Sequence, residues 1–245
     1  MRAGTIAKFE APTDAPIESY NDGGFRTIDV RESQSGLGGD GIVQSGAVCA
    51  TVEATEDSIG VSGTNIEVET VSSNRRTATE WVADPTGAGF IVAASTDSGE
   101  PPFPFDVFQA RLGVRVDPVV IDVGSVISGL ADAYDGETEV WMDGRKSESA
   151  VETEPDNVSI SYGRKATLES ARRAEIGVGF ETGWRANYIK GVIYQSGYLA
   201  VWEESWGPVQ FARFVADAVL PHAWVPEPEE EGEQSTLGAT GEGVV

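Results

Sequence analysis

The chain has 245 residues and a formal net charge of −23, from 17 basic and 40 acidic side chains. That length allows one large domain or two small ones with a sizeable core, and an apolar content of 40% excludes a wholly disordered chain. With one cysteine, Cys49, and one histidine, His222, the chain has no internal disulfide framework and no His-rich or Cys-rich zinc site of its own.

The acids are spread along the sequence, and lysine is confined to Lys8, Lys146, Lys165 and Lys190. A dispersed charge of this size destabilises a compact state by self-repulsion in dilute buffer. At molar salt the screening length falls to ~3 Å and most of that repulsion disappears. The composition therefore reads as a salt-adapted globular protein; the competing readings are an acidic mesophilic protein and a nucleic-acid mimic. No apolar run approaches the ~18 residues of a membrane span. Met1-Arg2-Ala3-Gly4-Thr5 lacks the apolar core of a signal peptide, so the expected location is the cytoplasm, away from membranes.

Residues 1–98 read as a β-rich domain or subdomain. Strands are expected at Thr27 to Val30, Ile42 to Val52 and Asn65 to Val71, the last with clear period-two alternation. Cys49 lies among small apolar residues of the second strand and reads as buried filler. The glycine-dense stretch Ser35 to Gly41 reads as a loop without phosphate-binding spacing. Trp81 to Val92 reads as strand, turn, strand, with Asp84-Pro85 opening the turn and Gly87 taking a positive φ.

Pro101-Pro102 marks a boundary, because neither a helix nor a central strand continues through it. Residues 103–225 then read as an α+β domain. A short helix is expected at Phe105 to Leu112. A second falls within Val119 to Tyr134, with an apolar stripe at Val123, Val126, Ile127 and Leu130, weakened by Gly124 and Gly129. Strands follow at Glu139 to Met142, Val158 to Tyr162 and Glu175 to Phe180. Tyr188 to Tyr194 and Tyr198 to Glu203 form a hairpin around Gln195-Ser196-Gly197. A helix runs from Pro208 to about Leu220, stopped by Pro221, with Phe211, Phe214, Val215 and Ala218 as its core stripe. Residues 226–245, with six glutamates and no basic residue, read as a disordered acidic tail. The expected class is α+β: a β-rich N-terminal half, then a C-terminal antiparallel sheet packed by one or more helices.

One region departs from the acidic background. Arg145, Lys146, Arg164, Lys165, Arg172, Arg173, Arg185 and Lys190 lie within 145–190 against seven acids, which leaves the rest of the chain at −24. Gly-Arg-Lys occurs twice, at Gly144 to Lys146 and Gly163 to Lys165, each time after an expected strand. A three-residue hairpin loop would set Tyr194 opposite Tyr198 and Lys190 opposite Trp202, placing Tyr188, Lys190, Tyr194, Tyr198 and Trp202 on one face. Such a face can stack bases and hold phosphates. Two blander readings compete: the aromatics pack beneath the helix from Pro208, and the arginines pair with the abundant carboxylates.

Catalytic signatures are missing. No phosphate loop, dinucleotide fingerprint or nucleophile elbow occurs, and no cofactor or metal site is expected. His222, after Pro221, reads as a helix-terminal surface residue. The expected function is a non-catalytic binding or adaptor protein of a salt-adapted cytoplasm, with a nucleic acid, a nucleoprotein or another protein as its candidate partner. A structural or assembly protein of a mobile element is the second reading, and a carboxylate-dependent metal hydrolase the third. The charge yields a direct prediction: circular dichroism should show one cooperative melt in molar KCl and a weakened or unfolded state in dilute buffer. Identical melting curves in both would contradict salt adaptation.

Overall fold

Ile6 and Ala7, neighbours in the first strand, β1 (Arg2–Phe9), are both fully buried although they point to opposite sides. A strand buried on both faces must lie inside a sheet that is covered twice. The structure, a computed structural model, describes residues 2–36, 41–62, 65–94, 103–134, 138–142, 165–166, 177–185 and 187–227. After β1 come β2 (Tyr20–Asn21), β3 (Arg26–Ser35), β4 (Ile42–Ser62), β5 (Asn65–Asp84), β6 (Phe90–Ala93), α1 (Phe103–Leu112), β7 (Val116–Pro118) and β8 (Val120–Ile121). Then follow α2 (Val123–Asp132), β9 (Glu139–Met142), β10 (Lys165–Ala166), β11 (Gly177–Trp184), β12 (Asn187–Tyr194), β13 (Tyr198–Val201), α3 (Pro208–Phe214) and β14 (Ala223–Trp224).

Twelve of these strands form one sheet in the order β10-β9-β11-β12-β13-β1-β6-β5-β4-β3-β2, with β7 added on β1; β14 and β8 make a separate pair. Every described pairing is antiparallel, and the protein is a sheet-rich α+β molecule. β1 joins sequence-distant halves. Along one edge it pairs with β13 and then β7, and along the other with β6.

The two faces carry two cores. On one, Ile6, Val92 and Val82 continue into Phe180, Ile189, Ile193 and Leu199, with Val126, Ile127 and Leu130 of α2 and Phe211 and Phe214 of α3 in the same cluster. On the other, Ala7, Phe9, Ile91, Trp81 and Val48 meet Phe105, Val107 and Phe108 of α1. Trp81 and Phe108 touch edge to face at 5.2 Å, a geometry the aromatic quadrupole favours. Buried Gln44 both accepts from Ile17 N–H (2.7 Å) and donates to Ile17 O (2.9 Å), which fixes the β1–β2 connection to β4.

Several elements differ from the expected bounds. The strands at 42–52 and 65–71 are the bases and tip of one long hairpin, β4–β5, in unbroken register from Gln44–Ala83 to Ser62–Asn65. The 84–89 turn is held by Asp84, whose carboxylate accepts from the Gly87 and Ala88 amides, but the positive φ falls at Gly89 rather than Gly87. Cys49 is half-buried rather than fully inside. The C-terminal helix spans the expected Pro208 to Leu220, but it is regular only to Phe214 and widens over Val215–Val219, where Leu220 N–H reaches back to Val215 O. Pro221 sits in the tight turn 220–222, where its missing N–H leaves no gap in the helical bonding. His222 is half-buried, and its carbonyl accepts from the Asp122 amide (2.9 Å). The expected strand at 158–162 and the tail beyond residue 227 lie outside the described residues.

Helix α2 starts where Asp122 caps it. The carboxylate accepts from the Ser125 amide (3.0 Å) and the Ser125 hydroxyl (2.6 Å), which hold its pKa below the ordinary aspartate value. A depressed folded-state pKa contributes stability above the unfolded value, near pH 4, and loses it as pH falls through the folded value. Asp122→Ala should therefore lower stability by about 1 kcal/mol at neutral pH. The gap to wild type should narrow in chemical melts taken at a pH below the ordinary aspartate value, as the carboxylate is protonated. An equal gap at both pH values would remove the carboxylate from the cap.

Candidate recognition face

The β12–β13 hairpin sets the geometry of the region singled out by charge. Gly197 holds a φ of +86° in the loop, and a Cβ there would lie 2.5 Å from Val119 O, so the third loop position requires glycine. Ile193 pairs with Leu199 and Gly191 with Val201. The Tyr194 and Tyr198 rings meet at 5.9 Å, and Trp202 N–H donates to Lys190 O at 2.8 Å. The expected register is therefore present. Ile189, Ile193, Leu199 and Val201 point into the core shared with α2 and α3. The alternate residues, Tyr188, Lys190, Tyr194, Tyr198 and Trp202, occupy the other face.

The expectation that these aromatics pack beneath the helix from Pro208 is corrected here. Helix α3 lies against the opposite face, where Phe214 stacks on Phe180 at 6.4 Å and meets Trp184 and Trp206 at 5.4 and 5.5 Å. Tyr188 is 55% exposed and Trp202 41%, while Tyr194 and Tyr198 are half-buried. The core beneath α1 includes no residue of β9–β13. The middle of this face is nonetheless covered, since Val192 and Ala200 are buried. Its open part is the end carrying Tyr188, Lys190 and Trp202.

Strand β11 contributes glycines to this face, and Tyr134, just beyond α2, uses one of them. Its ring lies so close to Gly183 that a Cβ there would come within 2.1 Å of a ring carbon. Gly183 pairs directly with Tyr188, which brings the two tyrosines to one corner. Glu181 pairs with Lys190 across the ladder; its carboxylate takes the Lys190 ammonium on one oxygen and the Tyr188 hydroxyl on the other (3.3 Å). Partial desolvation, and then the Glu181 charge, push the Tyr188 hydroxyl's pKa up.

Arg185 sits at the β11–β12 turn with a φ of +45°, a region that non-glycine residues rarely occupy. Its guanidinium lies 5.2 Å from the Trp184 ring and donates to Asp217 at 2.7 Å, while Arg213 approaches the same carboxylate at 3.4 Å. Lys190 and Arg185 thus both meet carboxylates, but on different faces: Lys190 on the aromatic face, Arg185 beside the α3 turn. Lys165 is placed by its backbone alone, opposite Trp141 of β9. Arg145, Lys146, Arg164, Arg172 and Arg173 lie outside the described residues. The chain that holds them leaves β9 after Met142 and enters β11 at Gly177, and Met142 pairs with Val178, so it begins and ends at one end of these two strands.

Elsewhere, a cleft of about 60 Å³ lies between Arg2, Ala3, Val82, Val92 and Phe211. It has room for a few waters, far below the ~300 Å³ at which organic-ligand sites begin. Among the described residues no group of three His, Cys, Asp or Glu side chains is placed to hold a metal, and no helix is long and apolar enough to cross a membrane. The chain matches no known family model, no curated protein and no solved structure.

Proposed function

We propose that this chain is a non-catalytic binding or adaptor protein of a salt-adapted cytoplasm. Its partner is a nucleic acid or nucleoprotein, recognised at the open end of the β12–β13 face. One observation carries this reading: an exposed Tyr188 and Trp202 flank Lys190 on a hairpin whose other face is anchored in the core. Large aromatic rings left in water on a rigid strand are suited to stacking, and each base stacked on an aromatic contributes ~1–3 kcal/mol. The cations needed for phosphate would come from the 143–176 segment, which is tethered at the end of β9 and β11 and carries six of the eight basic residues singled out by sequence. Because Lys190 and Arg185 already meet Glu181 and Asp217, the described cations contribute less charge than their number implies.

The paired substitution Tyr188→Ala with Trp202→Ala tests the face. Wild-type protein should shift single-stranded nucleic acid in gels run at the lowest salt that keeps it folded. The double variant should bind at least ~10-fold more weakly, as removal of about one stacked base implies. Its melting temperature should move little, since both rings are exposed. Arg145→Ala with Arg164→Ala should instead flatten the salt dependence, by about one unit of slope for each phosphate that the variant no longer neutralises. No shift by folded wild-type protein would eliminate nucleic acid, and undiminished binding by the aromatic double variant would move the site off this face.

A further inference from the structure

Strands β4 and β5 run well past the rest of the sheet. Strand β3 pairs with β4 only as far as Ala50, and the last bond on that edge is Thr51 N–H to Phe25 O (3.0 Å). From Val52 to Ser62 the outer edge of β4 has no neighbouring strand among the described residues. At ~3.3 Å per residue the projecting arm is about 35 Å long. A two-stranded ribbon is marginal in water by itself; three or more strands with an apolar face are needed for a stable sheet.

The devices that keep edges apart are reduced here to the acids Glu53, Glu56 and Asp57, whose repulsion molar salt screens. Soluble proteins blunt exposed edges with lysine, proline or bulges. Residues 52–62 contain no lysine and no proline, and their register with β5 is unbroken. Near the tip, Ile59 is 68% exposed and stands directly opposite Val68, 62% exposed; two positions further along the same register Val61 is paired with Ile66.

We propose that the outer edge of β4, over residues 52–62, pairs antiparallel with the same edge of a second copy of this chain. The union is a four-stranded sheet across a two-fold axis. Such an isologous contact lets one edge satisfy its twin: each outward N–H donates to a carbonyl of the second copy, and each outward carbonyl accepts from an N–H of it. The open edge supplies 11 residues, 52–62, in one unbroken register, about twice the length of an ordinary strand. Charge selects the conditions. Five acids and one arginine give each arm, residues 52–75, a net −4, so two arms repel in dilute salt and associate once molar salt cuts the screening length to ~3 Å. A basic partner on the same arm would show the reverse, binding most tightly at low salt.

Sedimentation velocity of the full chain in about 1 and 3 M KCl, from roughly 1 to 100 μM, tests the pairing. Wild-type protein should form a dimer that tightens as KCl rises. A variant in which residues 54–73 are replaced by Asn-Gly closes the hairpin at Glu53 and Asn74 with a two-residue turn. It should be monomeric at every concentration and keep the wild-type melt. Ile59→Lys with Val68→Lys should weaken the dimer at least ~10-fold. A wild-type monomer throughout, a dimer that persists in the shortened variant, or a dimer that loosens as KCl rises would each overturn the proposal. If the wild type is monomeric and its arm instead captures a lysine-rich peptide, a basic partner replaces the second copy. Binding of nucleic acid at the β12–β13 face is read separately and stands or falls on its own.

Discussion

Ile6 has both backbone groups engaged along one edge, its N–H with Gly197 O (3.0 Å) and its carbonyl with Val119 N–H (3.1 Å), while its side chain fills one core and its neighbour Ala7 the other. The opposite edge of the same strand pairs with β6. Eight residues of β1 therefore link β13 and β7, which follow Pro102 in the chain, to β6, which precedes it. Everything distal to this strand inherits its position: the hairpin with the aromatic face on one side, the β4–β5 arm on the other. A polar or bulky residue at Ile6 or Ala7 would have no exposed side to turn to, because each face is closed by a different helix layer.

Elements buried on one side were legible in the sequence. The α2 stripe Val123, Val126, Ile127 and Leu130 is buried as its spacing implies, and the loop Gln195-Ser196-Gly197 fixes a hairpin register that the structure repeats. What could not be read was pairing over distance. β1 is a short strand of modest hydrophobicity, and nothing local shows that Arg2 lies beside Val201. The β4–β5 arm was read as two short pieces for a related reason. From Glu53 to Ser58 the sequence has no alternation of apolar and polar character to mark a strand, and on β5 the alternation stops at Val71. The arm's continuity is visible only in the backbone ladder.

The aromatic face of the β12–β13 hairpin was partly legible. The residue set follows from period two and the loop length, but which side faces water depends on where α3 packs. Phe214 goes to the side of Phe180 and Trp184, and that choice leaves Tyr188 and Trp202 outside. Counting cations overstated the charge available. Glu181 and Asp217 sit where strand pairing and the turn after α3 deliver them, opposite Lys190 and beside Arg185. In a chain with 40 acids such pairings are frequent, and exposed pairs contribute only ~0–1 kcal/mol. Their larger effect here is on the field that a ligand would meet.

With β1 between them, the two halves are expected to unfold as one cooperative unit. Native-state hydrogen exchange in molar KCl measures this most directly, because amides opened only by global unfolding share one free energy. The amides of Ile6, Val92 and Ile193 should exchange at a common, highest free energy with the same denaturant dependence. Protection of Val92 with much earlier exchange of Ile193 and its neighbours in β11–β13 would contradict it, and would show that the halves open independently across β1.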